Sequence, residues 1–119
     1  MERDPRAYVW DVQQACVRIF RFVHGKDLAA YLADDLTRSA VERQFEIAGE
    51  ALARLAKDNP ALADRVPDYR QVIAFRNVLI HGYAALDDVR VWRAIESDLP
   101  DLKTAVDELL SSLGEAPYP

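Results

Sequence analysis

The sequence predicts an all-α fold, an up-and-down bundle of about five helices with room for one short extra helix. Three observations carry this. The 119 residues hold only four glycines. Apolar residues recur over long stretches at 3.6-type spacing, and β-branched runs are few. The connections between those stretches are short, which favours antiparallel neighbours. The length suits one domain with a real core. We place the domain at 1–114 and read residues 115–119, the end of "GEAPYP", as a short tail.

The first helix opens with Asp4 as N-cap and Pro5 at the first helical position, where a missing N–H costs nothing. Val9, Val12, Cys16, Ile19, Phe20 and Val23 form its apolar stripe, and Gly25 ends it. Asp27 offers a cap for a short helix, Leu28 to Leu32. A second long helix runs from about Asp35 to Lys57, stopped by Asn59–Pro60. Its stripe is Val41, Phe45, Ala48, Leu52 and Leu55, a pattern that serves either a core or a dimer seam. Gly49 interrupts this helix at a cost of roughly 1 kcal/mol, so another helix is expected to approach it closely. After Pro67, Asp68 and Gln71 form a capping box for the third long helix, and Gly82 is a ready left-handed C-cap. Asp87 caps a further helix through about Ser97, and Asp98 with Pro100 starts the last, which ends at Gly114.

Composition narrows the functional classes. Half the residues are apolar and 29% are charged, as in a soluble globular protein. Apolar runs are short and broken by charge, so no membrane span is expected. The N-terminus lacks the layout of a signal peptide, which makes the cytoplasm the default location. The single cysteine, Cys16, reads as a core residue. No Cys/His cluster suggests zinc, and no cofactor is called for. The net charge of −5 argues against broad nucleic-acid binding, yet it is unevenly spread. Residues 65–93 carry five arginines against three acids, whereas residues 94–119 carry one lysine against six acids. An anionic partner would meet the middle of the chain.

"RNVLIHGY", residues 76 to 83, breaks the amphipathic rule. Tyr69, Val72, Ile73, Leu79 and Ile80 share one arc of an ideal helix, and Arg76 falls near its centre. A guanidinium on a buried face is costly unless it is paired or faces an anion. Glu46 and Glu50 are candidate partners, and snorkelling over the core edge is the other plain explanation. His81 lies five residues on, about 140° round a continuous helix. The two meet only if the helix unwinds near Ile80 or if two copies compose one site. Taken singly, His81 suits a helix C-terminus and Tyr83 suits an amphipathic aromatic. The trio within eight residues is the stronger signal.

That segment resembles the Arg-x4-His-x-Tyr motif of HepT-like proteins, a branch of the HEPN superfamily of small helical ribonuclease domains. "VERQFEIAGEAL" (41–52) and "VRVWRAIESDLPDL" (89–102) also look like that family around its motif, so the resemblance covers nearly the whole chain. The resemblance implies a HEPN-like bundle that forms a homodimer with both motifs facing a shared cleft. It implies a metal-independent endoribonuclease acting on RNA, the toxin of a type VII-like toxin–antitoxin pair. Its usual partner is an MntA-like nucleotidyltransferase antitoxin, which silences the toxin by AMPylation of the motif tyrosine. Matched by position, the catalytic residues are Arg76 and His81, Asn77 is a supporting residue, and Tyr83 is the modified one. The rival expectations are a non-catalytic helical dimer that binds a nucleotide or a protein, and a structural bundle whose Arg76 is ion-paired.

Overall fold

The computed structural model describes residues 3–82 and 86–114. The described chain runs α1 (Pro5–Val23), α2 (Leu28–Ala33), α3 (Asp35–Asp58), α4 (Pro60–Ala63), α5 (Tyr69–His81) and α6 (Asp88–Arg93). A π-helical turn (Ala94–Asp98) then leads into α7 (Leu99–Leu113). No strand occurs among the described residues, and the fold is the expected all-α bundle. No helix among them is long and apolar enough to cross a membrane.

α1 and α3 form the centre. α1 packs against α3 and α7, α3 also packs against α5, and α2 bridges α3 and α6. The predicted stripe of α3 is buried within this one chain: Val41, Leu52 and Leu55 are fully enclosed, and Phe45 and Ala48 nearly so. It is core, not a dimer seam. Cys16 is also enclosed, and burial pushes its thiol pKa up to about 12, which leaves it a packing residue. Tyr31 and Trp92 stack at 5.2 Å between ring centroids and pin α2 to α6.

The caps follow sequence chemistry where the backbone permits. Asp4, Asp27, Asp34 and Asp87 each accept hydrogen bonds from backbone N–H groups of the first helical turn. Asn59 closes α3 and also caps the short α4, an element the Asn-Pro stop signal concealed.

Two expectations are corrected. Asp68 makes no side-chain cap, because it sits in the left-handed region (φ 59°) and an N-cap side chain needs extended backbone. Its carbonyl accepts from the N–H of Gln71 and Val72 instead. Gly82 is not left-handed (φ −112°), and its N–H still donates to the Val78 carbonyl at 2.7 Å. A Cβ there would lie 3.0 Å from that carbonyl oxygen, so closeness and not the sign of φ favours glycine. The last helix starts where expected: Asp98 precedes Leu99, Pro100 lies in the first turn of α7 and Gly114 ends it, although Asp98 makes no side-chain cap. Residues 88–113 follow one helical path through the π turn, with Asp98 and Leu99 in right-handed helical conformation. Pro100 has no N–H for the Glu96 carbonyl and would clash with it in a tight α-turn. The widened turn, with Leu99 N–H donating to the Ala94 carbonyl, relieves that conflict.

Candidate active site

The position of Arg76 is decided by Gly49. α5 lies so close to α3 there that a Cβ on residue 49 would sit 2.3 Å from Arg76 Cβ and 2.8 Å from its Cγ. The expected close approach is therefore made within the chain, and the arginine stem crosses the bare glycine. Beyond it, Nη1 donates to Glu50 Oε2 at 2.5 Å, while Arg54 Nε donates to Glu50 Oε1 at 2.9 Å. The carboxylate is thus shared by two guanidiniums.

This pair is not a sealed core ion pair. The Arg76 side chain is 17% exposed, but Glu50 is 48% exposed. A rim pair of this kind contributes about 1 kcal/mol or less. An incoming anion can therefore compete with Glu50 for Arg76. Arg76 Nε is buried with no hydrogen-bond partner among the described residues, so the fork is only half used.

α5 stays regular through His81, which removes unwinding near Ile80 as a way to join the two motif residues. His81 is exposed in the last turn, as is Asn77 one turn earlier. Arg76 faces α3, and His81 leaves the helix about 140° away. Tyr83 lies outside the described residues.

Sequence reasoning missed the surroundings of the arginine. Arg3, Arg43 and Arg54 border an open basin of about 330 Å³ with Glu50 and Ile80. Each is ion-paired, with Asp11, Glu46 and Glu50 respectively. Ile80 is 41% exposed at its edge. The signal was present: residues 43, 46, 50 and 54 line one face of α3, but singly they look like an ordinary solvated face.

A family model described as "Ribonuclease HepT-like" matches residues 12–109. The chain belongs to the HepT-like family. Among relatives of this HepT-like chain is a Thermococcus cleftensis protein named "Probable ribonuclease HepT". It is 31% identical over 92% of this chain and 98% of its own length. An RNase-named chain of Methanocaldococcus jannaschii is 28% identical over 89% and 96% of the two chains. Another from Caldanaerobacter subterraneus subsp. tengcongensis is 29% identical over 91% and 96%. These matches run nearly end to end in both chains. No solved structure matches the chain.

Proposed function

We propose that this HepT-like chain is a metal-independent endoribonuclease whose active site is composed across a homodimer. The observation that carries this is Arg76: a guanidinium half-engaged by a solvent-reachable carboxylate, within the segment that a ribonuclease family model matches. His81 leaves the regular α5 about 140° from Arg76, which supports a reading in which a second copy sets an imidazole beside the guanidinium.

The reaction is attack of an RNA 2′-hydroxyl on the adjacent phosphodiester. One His81 takes the 2′-hydroxyl proton as base, and its symmetry mate protonates the leaving 5′-oxygen, roles an imidazole can fill because its ring nitrogens both accept and donate. Arg76 trades Glu50 for the phosphoryl oxygens as charge builds on them. Asn77 orients the imidazole or the phosphate. The products are a 2′,3′-cyclic phosphate and a 5′-hydroxyl. Cleavage of short RNA in chelated buffer, read by mass spectrometry of the ends, is the test. His81→Ala is expected to abolish it with fold and dimer intact, and full cleavage by that variant excludes His81 as catalyst.

In this reading the chain is the toxin of a toxin–antitoxin pair, and an MntA-like nucleotidyltransferase silences it by adding AMP to the Tyr83 hydroxyl. Each adenylyl unit adds bulk and negative charge beside a phosphate site. Intact mass after co-expression with such an enzyme is expected to show adducts that vanish in Tyr83→Phe. A non-catalytic binding dimer is the second reading, favoured by the net charge of −5. RNA binding without cleavage, unchanged in Arg76→Ala, would select it.

A further inference from the structure

On the other side of α5 a cavity of about 290 Å³ opens between the start of that helix and the α6–π turn–α7 path. This is the lower end of the size range of small-ligand pockets, roughly 300–1,000 Å³. Its floor is aromatic. Phe45 and Phe75 meet edge to face at 5.1 Å, and Phe75 is only half-buried. The Arg90 guanidinium stands over the Phe75 ring at 5.8 Å, and Arg93 lines the same wall one turn on.

The charges are what single it out. Arg3, Arg6, Arg38, Arg43, Arg54 and Arg76 are ion-paired with carboxylates. Among the described residues Arg90 and Arg93 have no carboxylate within ion-pair distance, as is also true of Arg18, Arg21, Arg65 and Arg70, but these two line one cavity together. Three carboxylates, Asp68, Asp98 and Asp101, line the rest of the rim, two of them at the π turn and the start of α7. The cavity therefore offers an aromatic platform, cationic forks and acceptor-only groups.

We propose that this groove is a nucleobase subsite that takes one amino-bearing base of the RNA together with its phosphate. The base stacks on Phe75 beside Arg90, as bases do on aromatic rings and guanidinium planes. Arg93 holds the phosphate. The aspartates accept hydrogen bonds from the exocyclic amino group and disfavour a base that presents a carbonyl there. The ligand class rests on the ribonuclease reading, but the binding does not require cleavage.

Titration of the full chain with 5′-CMP and 5′-UMP, followed by amide chemical shifts, tests it. Saturable shifts are expected at Val72, Phe75, Arg90 and Ala94, with CMP about tenfold tighter than UMP. Arg90→Ala and Arg93→Ala, both exposed positions, are expected to abolish binding without unfolding. Ser97→Trp, which plugs the rim, is expected to do the same. Absent shifts, equal binding of the two nucleotides, or shifts confined to Arg76–His81 and retained in Ser97→Trp overturn the proposal. Groove shifts that follow protein concentration alone mark a protein–protein face and overturn it too. Loss of cleavage with nucleotide binding kept would strike the nuclease reading and leave this subsite standing.

Discussion

Gly49 carries the most consequence of any single residue, because it lets Arg76 cross α3 on its way to Glu50. Gly49→Ala forces a methyl into the arginine stem, and overpacking of this kind costs about 1–3 kcal/mol. Urea denaturation is expected to show that loss, even though alanine is the better helix former. Asp34 offers a pH handle at the same scale. Hydrogen bonds from the Thr37 hydroxyl and N–H, then Lys26, hold its carboxyl down at about 2, below the ordinary 3.8. A depressed carboxyl stabilises the fold above its unfolded pKa and loses that contribution as pH falls through the folded one. The stability gap between the wild-type chain and Asp34→Ala is therefore expected to be full above pH about 4 and to shrink toward pH about 2, as followed by thermal melts.

Among the elements, α3 and α5 contrast most. α3 buries seven residues, whereas α5 buries only Tyr69 and Leu79 and packs chiefly on α3. Leu52→Ala is expected to cost about 2–5 kcal/mol in chemical denaturation. Amide exchange is expected to be slowest in α1 and α3 and distinctly faster in α5, since local opening follows buried contact. Exchange in α5 as slow as in α3, in a dimeric sample, would mean that a second copy covers its outer face.

At the scale of the whole molecule, Arg76 and His81 leave the regular α5 about 140° apart, and the proposed chemistry calls on two chains. If the two histidines of a dimer act as base and acid, a dimer of wild-type and His81→Ala chains is inactive. Activity in an exchanged mixture is then expected to fall as the square of the wild-type fraction. A linear fall would mean that each chain works alone.

Helix positions, the aspartate caps, the α3 core and the anomalous Arg76 were all legible in the chain, because they depend on periodicity and on local hydrogen-bond chemistry. The Asp68 capping box and the sign of φ at Gly82 were misread. In each case the backbone path set by packing overrode a local preference worth about 1 kcal/mol. Which carboxylate takes Arg76, and which arginines surround it, depended on helices brought together by folding. The sequence by itself determined that an arginine sits in an apolar stripe with a histidine and a tyrosine after it. Only the tertiary structure decided that Gly49 opens its path to Glu50 and that His81 faces elsewhere, since both depend on how α5 lies against α3.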